Sequence, residues 1–482
     1  MTLVDELTKI VGEKGVLTGA EDTAPFLEDW RGRYRGQALC VVLPASTDQV
    51  SAIVKRCSET GTRVLAQGGN TSLCGGATPD AGDAPLVVIG LQRMRSVRSI
   101  DPANNTICVD AGCVLTVVQQ TAIDNDRLYA VSLGSEGSCQ VGGTIATNAG
   151  GTGVLRYGNT RDNVLGLEVV LPDGSIWDGL RSLRKNNTGY DLKHLFIGSE
   201  GTLGIITGAV LKLHPLPSAR SVAWLGVTSP QMALDILGLF RATCDARLSA
   251  FELMDENQIA MVVEHVPGRR CPIGGAACWH VLVELSDTCD AAMLDDAMQC
   301  VLERALERGL VADAVVGANE TQRSAMWEFR HSVSEANKKG GVGLTTDCAV
   351  PVSAVPAFIA SATDAVRAIV PDLPVLIVAH VGDGNVHLIP FFSFGRWKAV
   401  SDQNVLAERI RRAVNDAAAT LGGTFSAEHG IGRTLTAEMS RYKPAVEIAL
   451  MQAVKHAVDP KNLFNPGRLL PSAPPFGSRR AS

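Results

Sequence analysis

The chain contains no G-x-G-x-x-G leading from a strand into a helix and no G-x-x-x-x-G-K-[ST]. A nicotinamide cofactor on a Rossmann domain and a P-loop nucleotide are therefore both disfavoured. It has no C-x-x-C pairing either. Its twelve cysteines are scattered from Cys40 to Cys348 without regular spacing, which fits reduced thiols better than disulfides. Concentrated positive charge is missing: the basic clusters are short, such as Arg31, Arg33 and Arg35, and Arg479-Arg480 at the tail, in a chain of net charge −6. Nucleic acid is not an expected partner. No apolar run approaches the ~20 residues of a transmembrane helix. The opening MTLVDELTKIVGEKG carries a helical stripe of Leu3, Leu7, Ile10 and Val11 among acids and lysines, unlike a signal or transit peptide. The expectation is a soluble, cytoplasmic protein. There is no internal repeat, and low complexity is confined to the last dozen residues.

What is present is an ordinary globular composition, 46% apolar and 20% charged, over 482 residues, long enough for two or three domains. Glycine is concentrated in loops. The stretch Leu133 to Gly151, LGSEGSCQVGGTIATNAGG, holds six glycines and no lysine or arginine. A backbone so free of side chains can press its N–H groups against a flat or anionic ligand. A second polar loop, Gln67-Gly68-Gly69-Asn70-Thr71-Ser72, follows the strand-like Arg63-Val64-Leu65-Ala66, and a third lies within Arg184 to Gly204. The first two read as a cradle for the two ends of a long cofactor. Around them the pattern is α/β: a strand at Ala38 to Leu43, a helix opening at Ser46 or Thr47, and a hairpin over Val164 to Asp178 around Pro172-Asp173-Gly174. His214-Pro215-Leu216-Pro217 stops regular structure. Beyond it, short strands alternate with amphipathic helices such as Asp290 to Arg308, the pattern of an α+β domain with helices on one side of an antiparallel sheet. The expected division is 1–217, 218–421 and a C-terminal segment 422–482.

Two polar motifs carry candidate chemistry. In Val375 to Phe392, two β-rich halves flank Gly382-Asp383-Gly384-Asn385. A two-residue turn at Asp383-Gly384 would pair His380 with His387, Cβ atoms ~5 Å apart, a geometry suited to two imidazoles on one divalent metal. Paired histidines in a half-buried sheet are the alternative. Ser426-Ala427-Glu428-His429-Gly430 supplies a carboxylate and another histidine. In Trp327-Glu328-Phe329-Arg330, the arginine offers a planar fork for a carboxylate.

With these residues laid out, the chain resembles the FAD-dependent D-2-hydroxyacid dehydrogenases, flavoproteins of the vanillyl-alcohol oxidase / p-cresol methylhydroxylase type with an FAD-linked oxidase C-terminal domain. The resemblance runs from about Asp29 to Leu470 through QGGNTSL, GSCQVGGTIATNAGG, RYGNTRDNVLGLEVVLPDG, NTGYDLKHLFIGSEGTLGIIT, HVGDGNVHL, SAEHGIG and DPKNLFNPGRLL. It implies an α+β fold: an FAD domain of two subdomains, a substrate domain with an antiparallel sheet, and a helical C-terminal segment. It implies FAD on Gly68, Gly69, Asn70, Thr71, Gly137, Ser138, Gly143, Asn148, Gly150, Gly204 and Ile206. No histidine stands in the first glycine loop, where some relatives attach FAD covalently, so the FAD is expected to be non-covalent. Carried over residue by residue, a divalent metal, zinc, falls to His380, His387 and Glu428; His429 is the base, and Arg330 binds the substrate carboxylate. The implied partners are a small D-2-hydroxyacid and an acceptor such as electron-transfer flavoprotein or a quinone-linked carrier. A homodimer is the expected assembly.

The FAD half is most similar to the D-2-hydroxyglutarate dehydrogenase branch. That branch carries a lysine where this chain has Thr345, and an asparagine where it has Ile389. Both changes remove polar groups suited to a second carboxylate, and a buried carboxylate without partners is costly. The two positions instead resemble the D-lactate dehydrogenase branch. D-lactate or a similar monocarboxylic acid is therefore the expected substrate, with D-2-hydroxyglutarate as the alternative. A metal-dependent hydrolase would have no use for the glycine loops, and a flavin module without catalysis would not bleach with any D-2-hydroxyacid.

Overall fold

The computed structural model describes residues 1–82, 85–274 and 277–471. Arg479-Arg480 and most of the low-complexity tail lie outside the described residues. The chain forms two compact units, one of Met1–Gly151, Asn159–Pro215 and Glu428–Ser482, the other of Thr152–Gly158 and Leu216–Ala427. The seven residues 152–158, continuous in sequence with the first unit, belong to the second.

The first unit holds two sheets. In one, Cys40–Val42 and Arg63–Gln67 both pair in parallel with Leu86–Gly90, which lies between them, and Val16–Leu17 adds an antiparallel edge. The helix Thr47–Thr60 makes the crossover. Ser46 caps its start by accepting from the Gln49 N–H, and Gly61 ends it in the left-handed region, φ 67°. The other sheet is antiparallel, in the order Val97–Asp101, Thr106–Asp110, Ile205–Lys212, Val164–Val170, Ile176–Gly179. Its last pair is the expected hairpin, closed by the Gly174 and Leu171 N–H groups. One apolar core, including Leu7, Val54, Ile89, Ile107, Val118, Ile145, Leu167 and Leu211, joins both sheets. The terminal DPKNLFNPGRLL segment completes it: Val64 N donates to Leu463 O at 2.9 Å, Asn465 N donates to Val64 O at 2.8 Å, and Phe464 is buried.

The second unit is built on an antiparallel sheet in the order Asp313–Val316, Ala219–Val227, Trp279–Asp287, Leu248–Asp255, Val375–His380, Asn385–Phe392, Val342–Gly343, with Cys348–Ala349 also paired to Asn385–Phe392. The sheet is as expected, but its helices cover both faces instead of one. Alternate residues explain this. Ala223, Leu225, Val281, Val283, Phe251 and Leu253 pack under the helices Pro230–Cys244, Ala291–Glu307, Val355–Ile369 and Gln403–Thr420. Val222, Trp224, Met254 and Val378, pointing the other way, pack under Glu256–His265, Glu320–His331 and Val333–Gly340. Among the described residues, one 18-residue stretch, 352–369, has the length and apolarity of a membrane span. In this unit it contains a core helix: Val355, Phe358, Ile359, Ala362 and Val366 are buried along one face against the sheet.

Candidate active site

In the first unit, the loop after Arg63–Gln67 is clamped from below. The Gln67 side-chain amide donates to Phe26 O at 2.9 Å and Ala77 O at 2.7 Å. Asn70, at φ 52°, donates to Pro25 O at 3.1 Å and Glu28 O at 2.8 Å. The stretch 133–151 is not the open loop its composition suggested. Ser138 and Cys139 turn back onto Ser135 O, and a six-residue helix, Val141–Ala146, follows because Val141 and Ile145 bury themselves in the core. The two loops meet. A Cβ on Gly69 would lie 2.9 Å from the Ser138 carbonyl carbon and 3.0 Å from Cys139 Cα, and one on Gly68 would lie 3.6 Å from Gly143 Cα. Gly137 and Gly143, by contrast, face open space. Between them the buried Gln140 Oε1 has no hydrogen-bond partner among the described residues. A shelf of bare backbone with an unanswered acceptor fits the edge of a large planar cofactor such as FAD.

The remaining cofactor candidates divide. Thr71 is half-buried, and Ser138 is exposed on the turn. Asn148, at φ 50°, accepts from Arg161 N at 2.9 Å, and Gly150 is half-buried at the end of the same stretch. A Cβ on Gly204 would lie 2.5 Å from Val169 Cγ1 and 3.1 Å from the Phe196 ring. Ile206 is buried in the Ile205–Lys212 strand.

The EHGIG part of SAEHGIG, Glu428 onward, is tied to the same cradle within this unit. Gly151 N donates to Glu428 Oε2 at 3.1 Å, and Glu428 Oε1 lies 3.7 Å from His429 Nε2. Behind them Glu200, from the third glycine loop, accepts the Ile431 and Gly432 N–H groups at 2.7 Å each. Burial raises the Glu200 carboxyl above its ordinary range although both amides pull it down. Sequence reasoning missed this clamp.

In the second unit, the hairpin register differs from the expected one. His380 pairs with Asn385 and His387 with Val378, so the turn is four residues, Val381 to Gly384, closed by Asp383 N and Gly384 N onto His380 O. Gly384 takes φ 87°, and Asp383 accepts from Asn385 N at 3.1 Å. The slip is two residues, so it leaves both histidines on one face. They stand diagonally, ring centroids 5.6 Å apart and nearly perpendicular.

The group that organises this face is Glu252, in the strand Leu248–Asp255. It is 1% exposed; its Oε1 meets His380 Nδ1 at 2.7 Å, and its Oε2 accepts from Arg330 Nε at 2.9 Å and Nη2 at 2.7 Å. Burial alone would push this carboxyl up, but the His380 and Arg330 charges and hydrogen bonds overrule it and hold it near 2. An ionised carboxylate only accepts, so the His380 Nδ1 that faces it carries a proton, and Nε2 is the ring nitrogen that could meet a metal. Just before the strand Cys348–Ala349, Asp347 Oδ1 lies 3.7 Å from His387 Nδ1, and the Asp347 carboxylate accepts from Asn385 Nδ2 at 3.1 Å and Ala427 N at 3.0 Å. Two imidazoles, one of them backed by a hydrogen-bonded carboxylate, are ligand types that suit zinc. Glu252 had one sequence signal, a charge in the middle of the largely apolar run LSAFELM. Arg330, His380 and His387 are thus gathered in the second unit, while Glu428 and His429 belong to the first.

The face continues as an apolar strip. Ile389, two residues beyond His387, is buried with Leu376 and Phe391 against Met261. The Gly343↔Phe391 and Cys348↔Val386 pairs, with the Leu344 and Thr346 N–H groups donating to Pro390 O and Leu388 O, carry one register through. Thr345 therefore falls opposite Ile389.

A glycine-lined shelf in one unit and a charged, histidine-bearing sheet in the other are features that an FAD-linked oxidoreductase can use. The comparisons with known proteins agree: residues 38–179 match the FAD binding domain, and residues 216–469 match the C-terminal domain of FAD linked oxidases. The chain belongs to the FAD-linked oxidase family. Among its relatives are the mitochondrial D-2-hydroxyglutarate dehydrogenase of Arabidopsis thaliana, 34% identical over 97% of this chain and 81% of that protein, and the D-2-hydroxyglutarate dehydrogenase of Xanthomonas citri pv. viticola, 34% identical over 94% and 93%. The D-2-hydroxyglutarate–pyruvate transhydrogenase of Saccharomyces cerevisiae is also 34% identical, over 92% and 89%. Among solved structures, p-cresol methylhydroxylase superposes with a TM-score of 0.74 over 97% of this chain and 96% of its own at 16% identity. Alkyldihydroxyacetonephosphate synthase gives 0.73 over 96% and 84% at 18% identity. Both show the fold alone, of the vanillyl-alcohol oxidase type.

Proposed function

We propose that this protein oxidises a D-2-hydroxyacid to the 2-oxoacid, with D-lactate or a similar apolar monocarboxylic acid as substrate. The observation that carries the reading is the buried Glu252, which joins a carboxylate-binding arginine to a metal-binding histidine. An α-hydroxyacid presents a carboxylate and a hydroxyl on adjacent carbons, and the pair answers both. When bound, FAD in the cradle supplies the hydride acceptor, and zinc on His380, His387 and Glu428 supplies Lewis acidity toward the hydroxyl. Arg330 holds the carboxylate by the guanidinium side that Glu252 leaves open. His429 takes the hydroxyl proton, work for which an imidazole suits near neutral pH. Ile389, packed with Leu376 and Phe391, lines the side-chain end with hydrocarbon, and Thr345 opposite it carries no charge. Both disfavour a second carboxylate. Non-covalent FAD, an acceptor such as electron-transfer flavoprotein or a quinone-linked carrier, a cytoplasmic location and a homodimer complete the proposal.

A second reading, D-2-hydroxyglutarate as substrate, is favoured by the names of the relatives. Anaerobic titration with D-lactate, D-2-hydroxybutyrate and D-2-hydroxyglutarate, L-enantiomers as controls, separates the two. Flavin bleaching and a higher kcat/KM with the monocarboxylic acids support the first; a clear preference for D-2-hydroxyglutarate overturns it in favour of the second. Flavin that bleaches with no D-2-hydroxyacid sinks both.

A further inference from the structure

Glu252 makes three polar contacts with two residues that are otherwise unconnected in sequence, Arg330 and His380. It sits at 1% exposure in the middle of a strand whose other residues are buried too, so water does not share in its charge. A single carboxylate charge is thus divided between a guanidinium and an imidazole. Of the described residues, only Glu252 bonds the Arg330 guanidinium, and it does so from the Nε/Nη2 edge. The two partners meet different oxygens of one carboxylate and draw on its single charge, so when one withdraws, more of that charge is left to the other.

Resting on the function proposed above, we infer that Glu252 is a positioning residue that couples the substrate-carboxylate site at Arg330 to the metal site at His380. It acts in two ways. By accepting from Nδ1 it orients the His380 ring and raises the basicity of Nε2, the role a carboxylate behind a metal-bound histidine plays. By taking one edge of the Arg330 fork it fixes which edge faces the substrate. The two sites then trade: a ligand that draws Arg330 away from Glu252 returns negative charge to His380 and tightens the metal, and by linkage the metal affects carboxylate binding by the same factor.

The test is the zinc dissociation constant, measured by competition with a chelating dye on the FAD-loaded protein, for the unsubstituted chain, Glu252→Gln, Arg330→Gln and the double variant. Flavin content and Tm are followed in parallel. Glu252→Gln is expected to weaken zinc about 10- to 100-fold with flavin retained. Arg330→Gln alone is expected to tighten zinc about fivefold, because Glu252 is then undivided, and to have no effect once Glu252 is glutamine. A purely structural Glu252 would move Tm without this pattern. If Glu252→Gln does not fold, because Arg330 is left buried and uncompensated, the double variant removes both charges and carries the comparison against Arg330→Gln. Zinc affinity within twofold across either comparison overturns the coupling while leaving the metal site standing. An unsubstituted protein that binds no zinc overturns the metal assignment, and the coupling with it.

Discussion

Gly143→Ala is expected to act in opposite directions on the protein and on its cofactor. Gly143 lies inside the helix Val141–Ala146, and a Cβ there meets nothing within 4 Å. In the cofactor-free protein the substitution is a glycine-to-alanine exchange in a helix with no steric cost. It should stabilise the fold by roughly 0.5–1 kcal/mol. If FAD lies on the shelf formed by Gly137, Gly143 and Gln140, the same methyl occupies contact space. Overpacking of this kind costs ~1–3 kcal/mol, or roughly a 5- to 150-fold rise in Kd. Gly69→Ala provides the contrast. Its Cβ would lie 2.9 Å from the Ser138 carbonyl carbon, so the two loops must part whether or not cofactor is present, and both stability and affinity should fall. The assay is reconstitution of deflavinated protein with FAD, followed by flavin fluorescence, beside thermal unfolding of the cofactor-free forms. A Gly143→Ala protein that binds FAD as tightly as the unsubstituted one refutes the placement of the cofactor on this shelf.

Other expectations follow from single titratable side chains. Asp255, burial-shifted from 3.8 to about 6 despite the Ile377 and Gln258 N–H groups and the Asn257 amide, binds more protons folded than unfolded. Stability therefore falls as pH rises from about 4 to 6, by ~3 kcal/mol at most, and Asp255→Asn should flatten that slope in Tm against pH; an unchanged slope counts against it. Glu200→Gln sets an amide N–H against one of two backbone donors, at a cost of ~1–3 kcal/mol in urea unfolding. Faster hydrogen exchange at Ile431 and Gly432 should accompany it, and unaltered exchange would show the clamp to be dispensable. His429→Asn should slow flavin reduction by D-lactate ~10²-fold or more if it is the base; a loss under threefold removes it from that role.

Much of the site was legible because local rules govern it. Ser46 and the Pro172-Asp173-Gly174 turn act through their own backbone, so those elements stand where their residues point. His380 and His387 share a face because strand side chains alternate with a period of two. The hairpin closed two residues away from the expected register, through a longer turn, and that displacement moves no side chain across the sheet. The glycine-rich stretch 133–151 was read as open loop, yet Val141 and Ile145 found a core to bury in, and tertiary packing overrode a composition that disfavours helix. The helices of the second unit were expected on one side of the sheet for a related reason. A strand buried on both faces, such as Ala219–Val227, reads as an apolar run, and the run does not say what covers each face.

By itself the amino-acid sequence determined the class of fold, the glycine loops that can cradle a flavin, and the pairing of Thr345 and Ile389 as departures from a charged side-chain pocket. Only the tertiary structure brought Glu252 to His380, 128 residues away, and to Arg330, 78 residues away, or made Thr345 and Ile389 neighbours across two strands. The physical reason is that such contacts depend on strand order and on which helix covers which face. These are set by the collective burial of the whole unit, and no local stretch of sequence encodes them.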